Sequence, residues 1–308
     1  FSQTQKGHIK NRPLLKDLVE KNITLIDYEL IEHKEGGRVL TSFTYFAGYA
    51  GMIDSLWSLG QRLLNKGIAS PFTQITQSNE IGDLNVIRDL FYEVGKEFRS
   101  KGTPKEIPPI ICCFLGEGKT STGAQEMYDI LPVKQIKLDQ LEEVFQSGDR
   151  NYVYKLVLGV KDMFRPKEDS SLHGHTFTRK EFSKNYFATP DQFESNLDKV
   201  YPYISILMNC IIWSPEFPRL ISRGQAEEWY TDTQTLQVIG DITCDPEGAI
   251  QFSKETWIDQ PVFVYNPKDR SERFGFEGDG IVVMAVTNLP CEFPADASDR
   301  FSRELSPF

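Results

Sequence analysis

The sequence predicts an α/β fold built on a doubly wound parallel sheet, and three observations carry that expectation. Residues 110–115, Ile-Ile-Cys-Cys-Phe-Leu, are an uninterrupted apolar run, as a strand buried on both faces of a parallel sheet requires. A glycine-rich turn follows at once, and the residues after it are helical from about 122 to 131, where Pro132 forces a stop. Strand, glycine turn and helix in that order make half of a βαβ unit. Further buried strands are expected at 203–213, 236–242 and 280–286.

The remaining elements follow from spacing. Residues 23–31 alternate and are rich in β-formers, which predicts a strand; the Glu35-Gly36-Gly37 turn and an extended stretch over 38–44 come next. Tyr49, Met52, Ile53, Leu56, Leu63 and Leu64 fall at helical spacing over 47–66, with Gly67 as the stop. Leu84, Ile87, Phe91, Val94 and Phe98 repeat at three and four residues and predict a helix over 83–100. A strand is expected over 133–138. Residues 161–200 are charged and aperiodic, and read as an excursion from the core made of loop and short helices.

Composition excludes several classes. A net charge of −10 argues against a binder of nucleic-acid backbone, which needs a basic surface. No run of eighteen apolar residues occurs; the nearest, 47–64, contains Asp54, Arg62 and three glycines, so a buried helix is expected rather than a membrane span. Five cysteines without a regular framework suggest a reducing compartment, with Cys112 and Cys113 as core residues. His173-Gly174-His175 lacks further donors at ligand spacing and falls short of a zinc site, so no metal is expected. The chain opens on Phe1 rather than Met, which reads as a processed or incomplete sequence.

The chemistry sits in the turn Gly116-Glu117-Gly118-Lys119-Thr120-Ser121-Thr122-Gly123. Glycines let backbone N–H groups approach a diphosphate, and the helix N-terminus adds partial positive charge, so a Rossmann-like dinucleotide site is expected there. Gly116, Gly118, Lys119, Thr120, Ser121 and Gly123 are its cofactor-binding residues. The third glycine arrives two residues late for the usual fingerprint. Gly118-Lys119-Thr120 also reads as the end of an ATP-type phosphate loop, but position 113, where the first glycine belongs, is Cys113. A turn that merely connects packed elements stays open as a third reading. No acid stands clearly after the 133–138 strand to take a ribose hydroxyl, Asp139 being a weak fit, and the nearby lysines lean to NADP over NAD.

At this point the sequence resembles a known family. Phe43-Thr44-Tyr45-Phe46-Ala47-Gly48-Tyr49-Ala50-Gly51-Met52-Ile53-Asp54 is similar to the F-G-x-x-A-G-x-A-G-M-I-D stretch of the lysine–2-oxoglutarate reductase half of aminoadipic semialdehyde synthase. The likeness recurs in Gly116–Gln125, in Asn209-Cys210-Ile211-Ile212-Trp213, in Asp241-Ile242-Thr243-Cys244-Asp245 and in Asn288-Leu289-Pro290 with 292–298. The resemblance implies two Rossmann-like domains, a layout shared with alanine dehydrogenases. Residues 1–44 and 278–308 would be the remnant of a substrate domain, and 45–277 the nucleotide domain. It implies an oxidoreductase that condenses lysine with 2-oxoglutarate and reduces the imine with NADP(H) or NAD(H), forming saccharopine. Lys6, Glu29 and Asp245 would be catalytic, Glu29 meeting the lysine ammonium. Arg38 would grip a substrate carboxylate, with Phe46 beside it. Asn209, Cys210 and Ile211 would line the nicotinamide side, and Asp241 would stand at the cofactor.

One departure bears on activity. The family's acid–base histidine belongs to an F-S-H-T-x-K pattern that reads Phe1-Ser2-Gln3-Thr4-Gln5-Lys6 here, so Gln3 takes the histidine's place, and its lysine partner belongs upstream. Glutamine donates a hydrogen bond but exchanges no proton near neutral pH. His8 lies close in sequence and reads as a surface residue. The family's turn asparagine is Lys119. The resemblance therefore implies a lysine-degrading reductase, or a degenerate, catalytically impaired relative, with or without the cofactor, serving as a structural or assembly subunit; a dehydrogenase of a different amino acid using the same cleft is a third reading. Other expected partners are lysine and 2-oxoglutarate, no nucleic acid, and further copies or a larger assembly. The mitochondrial matrix is expected ahead of the cytosol.

Overall fold

The computed structural model describes residues 11–231 and 235–308. The chain divides into a larger unit, Thr44–Pro294, and a smaller one made of residues up to Phe43 with Ala295–Phe308. In chain order the strands are β1 (Ile111–Leu115), β2 (Val133–Ile136), β3 (Val153–Leu158), β4 (Phe164–Pro166), β5 (Phe193–Ser195), β6 (Ile206–Asn209), β7 (Val238–Asp241), β8 (Val262–Tyr265), β9 (Glu272–Phe274) and β10 (Ile281–Met284). Eight of them form one sheet in the order β2-β3-β1-β6-β7-β10-β8-β9. The run from β2 to β10 is parallel throughout, and β8 and β9 close it in antiparallel fashion. All five residues of β1 are buried, as the apolar run predicts.

The helix Ser42–Asn65 starts five residues earlier than its periodicity suggests. Its small residues explain its place in the fold. A β-carbon on Gly48 would strike the carbonyl oxygen of Thr120, and one on Gly123 would strike that of Tyr45, so the backbones of this helix and of Lys119–Tyr128 touch. On the sheet side Gly51 meets Ile242, and Ser55 fills the space that Gly240 of β7 leaves. Near the far end, the buried guanidinium of Arg62 donates to the carbonyls of Phe276 and Gly280. The helix Leu84–Lys101 matches its prediction: Asp83 caps it by accepting from the amides of Asn85 and Val86, and its apolar stripe is buried.

Four expectations need correction. Residues 23–31 form no strand; they carry a short 3-10 turn at Tyr28–Leu30, and Ile23 and Ile26 are exposed. Alternation needs a partner strand, and in the smaller unit the described residues offer only the isolated bridge Glu32–Arg38. Among its described residues that unit contributes helices, Arg12–Glu20 and most of Pro294–Leu305, rather than a second sheet. Residues 161–200 are part of the core: β4 pairs with β5, Phe164 stacks on Tyr186, and Phe193 meets Phe182 and Tyr186 edge-on. These aromatics come from three short elements, β4, the helix Arg179–Ala188 and β5, so no single period reveals them. The boundary expected at residue 278 would separate β10 from the sheet in which it lies between β7 and β8.

A buried acidic pair joins three segments of the larger unit. Asp54 accepts from the amide and the hydroxyl of Ser78, both at 2.9 Å, and faces Glu292, which is 1% exposed. Two carboxylates have no donor to offer each other, so the contact holds when they share a proton. Burial raises the pKa of both, and the Asp54 charge raises Glu292 further. The folded state then keeps a proton that the unfolded chain releases above the ordinary glutamate value of 4.5. The pair's contribution is complete below that value and is lost as pH rises. Glu292→Gln, which supplies a permanent donor, should raise stability by about 1–3 kcal/mol near pH 8 and by much less near pH 5. Urea unfolding at the two pH values checks this; an equal effect at both would refute the shared proton.

Candidate functional site

The carboxyl edge of the parallel strands gathers the polar groups. Gly116 leaves β1 with φ +95°, a left-handed conformation that suits glycine, and its amide donates to Leu158 O at 2.9 Å. A β-carbon there would lie 2.9 Å from the Ile211 side chain, so the turn and the end of β6 are in close contact. Gly118 caps the Lys119–Tyr128 helix without any side-chain hydrogen bond, and a β-carbon on it would meet nothing within 4 Å. The first-turn amides of that helix lack intrahelical acceptors, so the turn presents N–H groups and open space together. The helix begins at Lys119, three residues earlier than expected, which brings Lys119 and Thr120 into the first turn.

Two members of the expected turn set have other duties. Ser121 is fully buried, and its hydroxyl accepts from Gln125 Nε2 at 3.0 Å, so its side chain serves the helix interior. Gly123 lies against Tyr45 and serves the helix contact. A glycine late in such a motif lets the helix pack closely, which accounts for its displaced spacing.

Beyond β6 and β7 lies a buried network. Asn209 donates through Nδ2 to Asp241 Oδ1 at 2.8 Å and to Thr243 Oγ1 at 2.9 Å. The Thr243 hydroxyl and the Cys244 amide donate to the same Asp241 oxygen, at 3.1 and 3.3 Å. Burial raises the Asp241 pKa, opposed by hydrogen bonds from Ser253, Asn209, Thr243 and the Cys244 amide. Asp241 is therefore a support that holds Asn209 and shapes the following turn, rather than a carboxylate open to a cofactor. Cys244 adopts φ 44°, a strained conformation for a side-chain-bearing residue of the kind that clusters at functional sites. Asp245 follows it at the surface; partial burial, then the Asp241 and Glu255 charges, raise its pKa. Cys210 extends β6 by donating to Leu115 O at 3.2 Å, and burial pushes its thiol up, so the main chain is what it offers.

Sequence reasoning missed the residues after β3. Because β3, and not β2, lies beside β1, Asp139, a weak fit as ribose partner, sits one strand too far out, following the edge strand β2. An open groove of about 540 Å³ borders the glycine turn instead, lined by Glu117, Gln125, Val157, Lys161, Asp162 and Arg179. Lys161, Asp162 and Arg179 belong to the stretch read as an excursion. The available signal was the run 152–158, apolar but for Lys155, ending in Gly159, a second junction of strand and glycine.

In the smaller unit, Arg38 Nη1 lies 3.5 Å from Glu29 Oε2, and Asp27 accepts from the Glu29 amide at 3.0 Å. Phe46, expected at the substrate, is 3% exposed and packs against Tyr49 and Phe293 in the larger unit, so core packing replaces the predicted role. Gln3 and Lys6 lie outside the described residues. Among the described residues no helix is long and apolar enough to cross a membrane, and no three His, Cys, Asp or Glu side chains cluster to hold a metal ion.

No model of a protein family matches the chain. It is 37% identical over 322 residues to the alpha-aminoadipic semialdehyde synthase of Arabidopsis thaliana, an alignment covering all of this chain and 29% of that protein. It is 30% identical over 328 residues to the mitochondrial alpha-aminoadipic semialdehyde synthase of Rattus norvegicus, covering all of this chain and 34% of that protein. These synthases are homologues, and the chain spans about a third of their length. Among solved structures, an L-alanine dehydrogenase aligns with a TM-score of 0.49 and 18% identity, over 96% of this chain and 61% of that one.

Removing the Asp241 carboxylate would leave the Asn209 amide, the Thr243 hydroxyl and the Cys244 N–H without their shared acceptor. Asp241→Ala should cost about 3 kcal/mol of stability. Chemical denaturation checks this, and a cost below about 1 kcal/mol would show that the network is not a structural support.

Proposed function

We propose that this chain, a homologue over its whole length of one part of the alpha-aminoadipic semialdehyde synthases, binds a nicotinamide dinucleotide and serves the saccharopine-forming step of lysine breakdown. The observation that carries the reading is the uncapped helix start at Gly118, free of side chains, at the carboxyl edge of a parallel sheet and next to the end of β6. That is the place where open α/β sheets hold dinucleotides, and its chemistry suits a diphosphate. When bound, the dinucleotide supplies the hydride that reduces the imine of lysine and 2-oxoglutarate.

The chain's own groups take the other roles. Amides of the first turn, with Lys119 and Thr120, hold the diphosphate. Asn209–Ile211 line the nicotinamide side, Asn209 being fixed by Asp241. Asp245, with its raised pKa, moves a proton. Glu29 and Arg38, paired in the structure, exchange partners for the lysine ammonium and a 2-oxoglutarate carboxylate. NADP(H) is the favoured cofactor, and the mitochondrial matrix is the favoured compartment, as the description of the rat relative suggests. One sequence feature favours a second reading: Gln3 occupies the histidine position of the family pattern, which suits a cofactor-binding subunit without catalysis.

The purified natural protein, given lysine, 2-oxoglutarate and NADPH, should oxidise the cofactor only when both substrates are present. Cofactor binding without turnover would select the second reading, and failure to bind either reduced dinucleotide would reject both. Gly118→Val fills the open space above the turn, so it should weaken dinucleotide binding by about tenfold or more, at least 1.4 kcal/mol. The thermal midpoint should hold, because the residue has extended backbone angles that valine adopts. Equilibrium fluorescence and a melting curve read the two effects.

A further inference from the structure

The strand order decides which residues meet the adenosine half of a bound dinucleotide. In such sheets the ribose lies over the end of the strand beside the glycine strand, where an acid accepts its 2′-hydroxyl or a cation takes a 2′-phosphate. Here that strand is β3, and it leads into Gly159, Lys161 and Asp162 beside the groove that borders the turn. Asp162 is already engaged, since its Oδ2 accepts from the Gly159 amide at 3.0 Å and closes the local turn. The cations are differently placed. Lys161 is exposed, and its ammonium donates to the Phe177 carbonyl at 2.5 Å. The Arg179 guanidinium lies over the strand end, close enough that a β-carbon on Gly159 would strike it, and it is ion-paired to Glu117 within the glycine turn itself.

We propose that Lys161 and Arg179 read a phosphate on the 2′-position of the adenosine ribose, with Glu117 standing in for that phosphate in the free protein. The assignment rests on the dinucleotide reading above and adds to it the residues that discriminate. An arginine fork and a lysine ammonium match a phosphate dianion in charge and donor geometry. A bare ribose hydroxyl carries no charge with which to displace Glu117 from Arg179, and Asp162, the acid that follows β3, is bound to backbone. Discrimination follows from an exchange of anions at a single guanidinium.

Equilibrium binding of NADPH and NADH to the natural protein, with 2′,5′-ADP and 5′-ADP as fragment probes, tests the assignment. NADPH should bind at least about tenfold more tightly than NADH, or 1.4 kcal/mol. Arg179→Ala and Lys161→Ala should each reduce that preference and together abolish it, while NADH affinity stays within about twofold and certifies the fold. Arg179→Lys should keep part of the preference. Equal affinity for the two cofactors in the natural protein, a preference that survives the double substitution, or parallel loss of both affinities would overturn the proposal while leaving the dinucleotide site in place. Failure of the unsubstituted protein to bind either one would overturn the underlying reading as well.

Discussion

The larger unit depends on how closely one buried helix approaches the elements beside it. Backbone against backbone, Gly48 on Thr120 and Tyr45 on Gly123, is a separation that any side chain would forbid. Interiors are packed densely enough that a single methyl group is felt, so this contact constrains the position of the Lys119–Tyr128 helix. The N-terminus of that helix is the phosphate-binding element of the proposed site. The glycines of Ala47-Gly48-Tyr49-Ala50-Gly51 thus act on chemistry from a distance, by determining where a set of amides can stand.

A second constraint is the handling of charge in the interior. Asp241 is buried with several donors converging on it, so its cost is offset locally, and it stiffens the edge of β6 and β7 where Asn209 emerges. Asp54 and Glu292 are buried with too few donors, and a retained proton supplies the missing one. Both arrangements place polar groups among segments far apart in sequence, and in both the choice of partner matters more than the number of charges. Glu117 and Arg179 extend this to the surface, where an anion inside the glycine turn is neutralised by a cation from residue 179.

Much of the core was legible in the residues. The Leu84–Lys101 helix, the β1 strand and the turn after it follow from local periodicity and from glycine's special backbone, both properties of a short window. The strand expected at 23–31 failed because alternation describes a surface and not the neighbour that surface requires. The aromatic cluster of Phe164, Phe182, Tyr186 and Phe193 was invisible for the opposite reason: its members are individually unremarked residues spread over three short elements. At the glycine turn, the backbone freedom of Gly116 and the open space at Gly118 follow from residue type, whereas Ser121, Gly123 and Phe46 lie on helix faces turned into the core, an orientation that a motif does not carry.

The sequence by itself determined that a buried strand, a glycine turn and a helix follow one another, because those preferences arise within a few residues of backbone. Only the tertiary structure decided that β3, rather than β2, lies beside β1, and so that Lys161 and Arg179, not the segment around Asp139, border the turn. The physical reason is that parallel strands pair through hydrogen bonds that any sequence can make. Their order is therefore set by which faces the connecting helices and aromatics can bury, and that is a property of the whole chain.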